Sequence, residues 1–340
     1  MRLTDIKQFI LKSVEQHRAD IVAVTSKKFS VTRTTVHRHL KSLIAQGKIV
    51  QSGTTKNTLY FSSDSFARRF TFKVTSALDE FQLYIECIES LVSSFPVNVQ
   101  DIVNYCFTEL VNNVLDHARA TQFYVETSLE KNLLSLKITD NGIGVFKNIY
   151  DYFQLDDLRE SILQLSKGKM TTAPEHHTGE GLFFSSKITE FFHIYANNFH
   201  YYIDNQEHDW SLEEDKVIKQ GTMVHCIIDV ATKRKLLDVF KKYQDENDFS
   251  FNRTDILVIL SKLKEETLIS RSQAKRVLRG LENFKHITLD FTGVRLVGQG
   301  FVDQVFRVFH QTYPHIKLNY TNANKDIDFM IKRSLKLTQG

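Results

Sequence analysis

The polar and apolar positions of residues 107–118, FTELVNNVLDHA, follow the period of an α-helix with two unlike sides. Leu110, Val114 and Ala118 fall on one side of this helix. The other side carries a carboxylate, an amide, a second carboxylate and an imidazole, which are Glu109, Asn113, Asp116 and His117. This division predicts a helix that packs on the core with its apolar side and borders a polar pocket with the other.

Three glycine-containing segments follow this helix at the ends of predicted elements. Alternating apolar residues at 134, 136 and 138 predict a strand that ends in DNGIG, residues 140–144. The segment TGEGL, residues 178–182, precedes a second apolar helix, and QGTMVHCIIDV, residues 220–230, predicts another strand. Glycine at such positions lets backbone or a ligand approach closely.

The first 62 residues predict three short helices and a hairpin. Apolar residues recur at helical spacing in three groups: Leu3, Ile6, Phe9, Ile10 and Val14; Ile21, Val22 and Val24; and Val31, Val36, Leu40, Leu43 and Ile44. Residues 48–61 predict two strands around a turn at 52–57.

Between these regions, residues 62–69 are expected to be a connection, 70–74 a strand and 77–93 a helix with an apolar stripe at Leu78, Phe81, Ile85, Ile88 and Leu91. A long loop is expected over 143–178. The last third alternates helices and strands, which predicts a small α/β domain. Its elements are a basic helix at 233–243, a strand at 254–260, a helix from the cap Ser270 through 281, a strand at 286–291, a helix at 300–312 and a strand at 316–320.

Charge is segregated along the chain, although the net charge of its 340 residues is only +4. Residues 1–62 have 11 basic and 3 acidic residues, which gives +8; residues 63–232 have 13 and 25, which gives −12; and residues 233–340 have 20 and 12, which gives +8. The basic first block suits a polyanion, and the acidic middle does not.

Composition narrows the class of protein further. No stretch approaches eighteen apolar residues and the first residues lack an apolar signal core, so neither a membrane span nor secretion is expected. The three cysteines, Cys87, Cys106 and Cys226, lack C-x-x-C spacing, which favours a reducing compartment without structural zinc. A cytoplasmic protein of two to three domains is expected.

The chain contains four motifs in order: a helix with E-x-x-x-N, a strand that ends in D-x-G-x-G, a G-x-G-L segment that precedes a helix, and a G-T pair that precedes a strand. This ordered set resembles the ATP-binding domain of the GHKL superfamily, which includes gyrase, MutL, Hsp-type chaperones and histidine kinases. The resemblance implies an ATP and Mg²⁺ site, a homodimer, and an ATP lid within the long loop. The implied nucleotide-binding residues are Asn113, Asp116, Asp140, Gly142, Gly144, Gly179, Gly181, Leu182, Lys187 and Thr222.

The residue types suit these roles. The amide oxygen of Asn113 suits a largely hydrated Mg²⁺, and Glu109 one turn earlier could polarise a water for attack on a terminal phosphate. Asp140 offers an acceptor to the exocyclic amine of adenine. Backbone amides at Gly179 and Gly181 favour phosphate at a helix start. Lys187 is equally well explained as a solvated lysine.

The amino-terminal elements resemble a winged helix-turn-helix. The third helix would present Thr32, Arg33, Thr35, Arg38 and Lys41 to double-stranded DNA, with His37 and His39 on the same face. The alternative is a protein-interaction module, since winged helices serve that purpose too.

Residues 269–309 resemble the STAS-like domain that follows such ATPase domains in bacterial regulators, which implies a possible protein partner. Partner-switching STAS proteins accept phosphate on a hydroxyl at the start of the helix after the LDF-type strand. Here that turn is Val297, Gly298, Gln299 and Gly300, without a hydroxyl. A histidine-bearing dimerisation helix before residue 70 is also missing.

These observations predict an α+β protein with four segments. They are a winged helix at 1–62, a GHKL α/β sandwich with a mixed sheet and helices on one face at 66–232, a connecting helix at 233–250 and a small α/β STAS-like domain at 251–340. The favoured function is an ATP-gated DNA-binding regulator that hydrolyses ATP slowly. The alternatives are a serine/threonine kinase of the anti-sigma type acting on a separate STAS protein, and a nucleotide-sensing scaffold. A metal site at His176, His177, His193 and His200 is disfavoured because no acidic or cysteine partner stands at ligand spacing.

Overall fold

A computed structural model describes residues 3–14, 16–46, 48–52, 58–62, 66–169, 179–214, 220–245, 250–261 and 267–336. The chain divides into two compact units, each built from separate stretches of sequence. The first unit comprises Met1–Gly144 and Ser185–Leu236, and the second comprises Val145–Phe184 and Leu237–Gly340. The predicted segment boundaries at 62, 232 and 250 stay predictions.

The first unit begins with three helices and two paired antiparallel strands that lie where the apolar pattern predicts them, and residues 53–57 of the predicted turn lie outside the described part of the chain. They are α1 (Leu3–Ser13), α2 (Ile21–Phe29), α3 (Arg33–Ala45), β1 (Ile49–Ser52) and β2 (Leu59–Ser62). Their buried apolar side chains, including Ile10, Val36 and Tyr60, form one cluster. The Lys7 ammonium donates to the Ser42 hydroxyl at 2.7 Å and so joins α1 to α3.

A seven-stranded sheet makes up the rest of the strands in this unit. Its strands are β3 (Phe66–Lys73), β4 (Gln122–Glu130), β5 (Leu133–Asp140), β6 (Phe191–Ala196), β7 (Phe199–Asp204), β8 (Asp209–Glu214) and β9 (Thr222–Asp229), in the spatial order β3-β4-β5-β9-β6-β7-β8. Every pairing among these described strands is antiparallel, so the expected mixed sheet is wrong. The expected connection at 62–69 is also wrong in part, because β3 already begins at Phe66.

One face of this sheet is buried and packs against helices. Side chains alternate between buried and half-exposed along β4, β5, β6 and β9, with Leu136, Ile194 and Cys226 among the buried ones. The helix α6 (Val97–Asn112) packs on β5 and β9 and continues into a π-helical turn at Asn113–His117. The predicted helix 107–118 is therefore the second half of a longer one, with an altered period at its polar end.

The helix before α6 also contains a π-helical stretch, and this changes its buried face. It runs as α4 (Glu80–Tyr84), a π-helical segment Ile85–Glu89 and α5 (Ser90–Val92). Phe81 and Ile85 are 62% and 38% exposed, whereas Leu83 and Cys87 are buried. The predicted stripe is thus wrong at Phe81 and Ile85 and right at Ile88 and Leu91.

The second unit contains a three-stranded parallel sheet, formed by β10 (Arg253–Leu257), β11 (His286–Asp290) and β12 (Lys317–Thr321). The helices after residue 236 are α10 (Leu236–Tyr243), α11 (Arg271–Leu278), α12 (Gln299–Val302) with the π-helical Asp303–Phe309 and α13 (His310–Thr312), and α14 (Lys325–Lys336). Ser270 caps α11 as predicted, in a capping box with Gln273. Phe301, Val305, Phe306 and Phe309 are buried as the pattern predicts.

The segment expected to be a long loop contains two helices of the second unit, which corrects that expectation. They are α7 (Val145–Phe153) and α8 (Leu158–Lys167), and residues 170–178 lie outside the described part. The helix α8 packs on β10, where the Thr254 hydroxyl donates to the Lys167 carbonyl at 2.8 Å. The next helix, α9 (Gly181–Ile188), has Phe183 and Phe184 in an aromatic cluster with Phe251.

Buried charge fixes α8 to α11. The Lys167 ammonium is fully buried and donates to the carbonyls of Arg276 and Arg279, at 3.3 and 2.8 Å, near the carboxyl end of α11. The Glu160 carboxylate is fully buried too, 3.9 Å from the Arg276 guanidinium and 3.5 Å from that of Arg279. Separating the two helices would leave these groups unpaired, which is costly. Among the described residues, no helix is long and apolar enough to cross a membrane.

Candidate functional site

Asp140 is the centre of the predicted nucleotide pocket, and the structure buries it at the end of β5. Its side chain is 6% exposed, and its carboxylate accepts a hydrogen bond from the Gly142 amide at 2.7 Å. The backbone amide and the hydroxyl of Thr222, at the start of β9, donate to it as well. The sheet pairs the last residues of β5 with the first of β9, which brings these two motifs together.

The electrostatic state of Asp140 is unusual for an aspartate. Burial raises its pKa from 3.8 to about 6, and the hydrogen bonds from Gly142 and Thr222 offset only part of that effect. Among the described residues, the groups that lower the pKa of Asp140 are hydrogen-bond donors rather than cations. A buried carboxylate held by donors but unmatched in charge is a common mark of a functional site.

Two glycines allow three backbone segments to converge at Asp140. A Cβ on Gly142 would overlap the Ala118 carbonyl oxygen, and a Cβ on Gly221 would overlap the carbonyl oxygen of Asp140. Gly221 also has φ 82°, which favours glycine. The Ile143 amide donates to the same Ala118 carbonyl at 3.0 Å. Three segments thus make close backbone contacts at Asp140: the end of the polar helix, the D-x-G-x-G loop and the start of the G-T strand.

Asparagines lock this loop in place, and the sequence prediction missed them. The Asn141 side chain accepts from the amides of Thr121 and Gln122 at 2.9 and 3.1 Å. Asn197 donates to the Ile143 carbonyl at 3.0 Å, and a Cβ on Gly144 would overlap its side chain. The signal for Asn197 is the Asn-Asn turn of residues 197–198, because asparagine tolerates the positive φ of 52° and 65° found there.

The polar side of the helix lies in the same unit. The Asn113 amide nitrogen donates to the Glu109 carbonyl at 2.7 Å, so the amide oxygen predicted for Mg²⁺ is not used in that bond. Glu109, Asn113 and His117 are half-buried, and Asp116 is exposed. Lys187 is also in the first unit and half-buried, and its carbonyl accepts from Arg234 at 3.4 Å.

The glycine segment before α9 belongs to the second unit. Gly179, Gly181 and Leu182 are half-buried there, and Gly179 has φ 74°. Thr178, with His176 and His177, lies outside the described residues. The role of these glycines with phosphate stays a prediction.

The surface of α3 carries most of the residues predicted to contact DNA. Arg33, Arg38 and Lys41 are exposed, and Thr32 caps the helix by accepting from the Thr35 amide at 3.2 Å. His39 is 4% exposed, so its predicted place on the outer face is wrong. Burial, with Arg38 and Lys7 nearby, lowers the pKa of His39.

Two further sequence observations have a structural counterpart. A Cβ on Gly298 would lie 2.6 Å from the Ile269 Cα, so close backbone packing disfavours a side chain at this position of the turn 297–300, which lacks a hydroxyl.

Two of the histidines considered for a metal site lie close together. His193 Nδ1 lies 3.0 Å from His200 Nε2 on neighbouring strands. In the described part of the chain, no group of three or more His, Cys, Asp and Glu side chains could hold a metal ion.

Comparison with known proteins identifies the carboxyl-terminal part. A STAS-like domain of unknown function, DUF4325, matches residues 273–328. The matched range runs from α11 through β12 into α14, and it confirms the STAS-like domain predicted there. No curated protein matches the chain.

Proposed function

We propose that this protein is a GHKL-type regulator that binds ATP with Mg²⁺ and couples the nucleotide state to DNA binding through its first three helices. The observation that carries the nucleotide part is the buried Asp140 carboxylate, joined to Thr222 and to the end of the helix that bears Glu109 and Asn113. An amine of adenine would be a further hydrogen-bond donor to this carboxylate, beside Gly142 and Thr222.

The roles of the helix residues follow from their chemistry. Asn113 would hold Mg²⁺ through its amide oxygen, since Mg²⁺ keeps most of its waters and takes few protein ligands. Glu109 polarises the attacking water. When bound, Mg²⁺ neutralises charge that develops on the phosphates.

The DNA part rests on α3. Arg33, Arg38 and Lys41 are exposed on one helix of a unit whose first 62 residues have a charge of +8 (11 basic and 3 acidic). A helix of this kind fits the major groove and its phosphates. The competing kinase function needs a separate STAS protein as acceptor, because the corresponding turn in this chain, residues 297–300, has no hydroxyl to accept phosphate. Close packing around Gly298 also disfavours a side chain there.

A calorimetric titration with ATP and Mg²⁺ tests the nucleotide site. We expect Asp140→Asn to weaken ATP binding by roughly tenfold to a hundredfold, because a buried hydrogen bond is worth about 1–3 kcal/mol. Thr222→Val, which removes only the hydroxyl, should weaken it less. Asp101→Asn, an exposed change on α6, is the matched control and should bind as the parent does. Parent-like affinity in Asp140→Asn would refute the adenine assignment.

A further inference from the structure

The carboxyl end of α3 is the part of the proposed DNA-binding helix that has no basic side chain. The helix has 13 residues and is therefore about 20 Å long, whereas the major groove of DNA is about 12 Å wide. A helix of this length that lies across the groove comes close to phosphates at both of its ends. The last turn of α3 has no basic residue, and its final carbonyls carry partial negative charge. Phosphates at this end therefore need cations from another part of the molecule.

The turn between β4 and β5 lies at this end of α3. In the amide orientation that satisfies its hydrogen bonds, the Asn132 side chain donates to the carbonyl of Gln46, the C-cap of α3, at 2.8 Å. The Asn132 carbonyl in turn accepts from the Val230 amide at 2.8 Å, directly after β9. The turn is thus held between the end of α3 and the central strands of the sheet.

A second contact fixes the first three helices to the same sheet. The strand β1, which follows α3, packs on α5. The Arg68 guanidinium on β3 donates to the hydroxyl of Ser90, the first residue of α5, at 3.2 Å. Because α3 and the β4–β5 turn both belong to the first unit and are joined by these contacts, a duplex bound to α3 would meet the turn in a fixed position.

Two exposed lysines at this place supply the missing cations. Lys131 precedes Asn132 in the turn and is exposed, with φ 57°. Lys48 is exposed just after α3, where its backbone amide donates to the Leu43 carbonyl at 2.9 Å. Together with Lys41 on α3, they extend the row of cations beyond the end of the helix.

Two carboxylates stand next to the turn on the sheet. Glu130 is exposed and pairs with Leu133 across the turn, and Asp229 pairs with Leu133 from β9. Asp229 accepts a hydrogen bond from the Ala231 amide at 2.8 Å. The helix α3 itself has no acidic residue. A phosphate at the turn would therefore be attracted by Lys131 and repelled by Glu130, and the two effects can be measured separately.

We propose that the β4–β5 turn is a second DNA contact, in which Lys131 and Lys48 bind phosphates at the carboxyl end of α3. The inference rests on the proposed DNA binding by α3, and it adds a contact from outside the first 62 residues. Phosphate contacts carry no sequence information but fix the orientation of a protein on the duplex. The turn would therefore strengthen binding to any sequence and set the direction in which α3 lies in the groove.

Fluorescence anisotropy of the full chain with a mixed-sequence duplex, over a salt series, tests the proposal. We expect Lys131→Gln to weaken binding by up to about eightfold at about 0.1 M salt and to lower the log–log salt slope by about 0.9, because one phosphate contact is lost. Lys131→Arg keeps the charge and should bind as the parent does. Glu130→Gln should strengthen binding by about twofold, because it removes a carboxylate within a Debye length of the phosphates.

Lys73→Gln is the matched control for the loss of one positive charge. Lys73 is exposed at the end of β3, and the strand pairing places it at the Asp140 end of the sheet, away from Asn132. This variant should keep the salt slope of the parent. Circular dichroism checks that each variant is folded.

The possible results separate this inference from the proposed function. If the parent binds and Arg38→Ala lowers the salt slope, but Lys131→Gln behaves as Lys73→Gln does, the second contact is refuted and DNA binding by α3 stands. If the parent binds no duplex, both are refuted. If polyglutamate displaces the labelled duplex as well as unlabelled duplex of equal charge does, the turn is assigned to an acidic protein partner instead of DNA.

Discussion

Asp140 illustrates how a candidate binding residue can lower the stability of its own fold. The folded state raises its pKa from 3.8 to about 6, so between these two values the folded chain binds more protons than the unfolded chain. Stability therefore falls as pH rises from about 4 to 6, and the charged carboxylate lowers stability at pH 7. A pKa increase of about two units corresponds to about 3 kcal/mol.

Asp140→Asn should consequently stabilise the protein at pH 7.5 while it weakens nucleotide binding. Asparagine keeps one acceptor oxygen, for the Gly142 amide, and removes the charge. Its amide nitrogen cannot accept from the Thr222 backbone amide, so the loss of that hydrogen bond offsets part of the gain. We expect a gain of up to about 3 kcal/mol at pH 7.5 that shrinks toward zero near pH 4, measured by thermal unfolding of parent and variant across pH. A gain independent of pH would show that the charge is not responsible.

Gly221 and Gly293 share a backbone conformation but have different neighbours. Substitutions at these two positions therefore separate the cost of the backbone conformation from the cost of steric overlap. Gly221 and Gly293 have φ of 82° and 75°, but a Cβ on Gly221 would overlap the Asp140 carbonyl, whereas one on Gly293 would have its nearest neighbour at 3.8 Å. Gly293→Ala should cost about 1 kcal/mol through its backbone conformation alone. Gly221→Ala should cost several times more, as read from denaturation followed by circular dichroism. Equal losses of stability in the two variants would mean that the backbone contacts around Asp140 are loosely packed.

At the scale of elements, α3 separates residues that build the helix from residues that can contact a ligand. Thr32 caps the helix, Thr35 supplies the capped amide, and His39 is buried, which leaves Arg33, Arg38 and Lys41 as the exposed cations predicted to touch DNA. Each phosphate contact releases counterions and steepens the salt dependence of binding by about one unit in a log–log plot.

Arg38→Ala and Lys41→Ala should therefore weaken duplex binding and reduce its salt slope by about one each. Lys12→Ala, an exposed change on α1 with the same loss of charge, is the control and should leave the slope nearly unchanged. Fluorescence anisotropy over a salt series measures this. If all three variants lose equally, net charge rather than α3 governs binding, and if the parent does not bind, the module has another partner.

The sequence predicted elements well where one period dominated. Clean alternation placed β5 and β9, helical spacing placed α1 and α3, and the cap at Ser270 placed α11. It failed where a π-helical turn shifted the period, as at Phe81 and Ile85, since one extra residue per turn rotates the buried side. The strands β6 and β7 were missed because rings such as Tyr195 and Tyr202 occupy their outer positions and blur the alternation.

The motifs of the candidate site were predictable from the sequence, but the backbone contacts between them were not. The sequence predicted that Asp140, Gly142 and Thr222 belong to one site, and the structure brings the three together. The contact of Gly142 with Ala118, however, depends on where two distant elements meet. No local pattern encodes that meeting. The same reason explains His39, whose burial depends on how α1 and α2 pack against α3.

At the scale of the whole molecule, neither unit is continuous in sequence, which makes the family match a poor guide to a stable fragment. The matched residues 273–328 omit β10 and α8, although α8 supplies the buried Lys167 and Glu160 to α11. A fragment chosen from the match or from residues 251–340 would leave Arg276 and β10 without that cover.

Residues 251–340 alone should therefore form a loosely packed state, and residues 145–184 supplied in trans should order it. The measurement is near-ultraviolet circular dichroism together with the dispersion of amide signals in solution NMR. The matched control is the same peptide carrying Lys167→Glu, which should fail because it places a carboxylate against the carbonyls of Arg276 and Arg279. A fully dispersed spectrum from 251–340 alone would show that α8 is dispensable.

The packing of α8 also affects the order in which parts of the chain can fold during synthesis. On the ribosome α8 is complete at residue 167, but its partners β10 and α11 emerge only at residues 253–278, and β9 of the first unit, which closes the sheet between β5 and β6, emerges at 222–229. At about 5–20 residues per second, Glu160 and Lys167 wait several seconds for their partners. The nascent chain therefore carries an unsatisfied helix while the first sheet is being finished, and the second unit is completed only after β12 and α14 have been made.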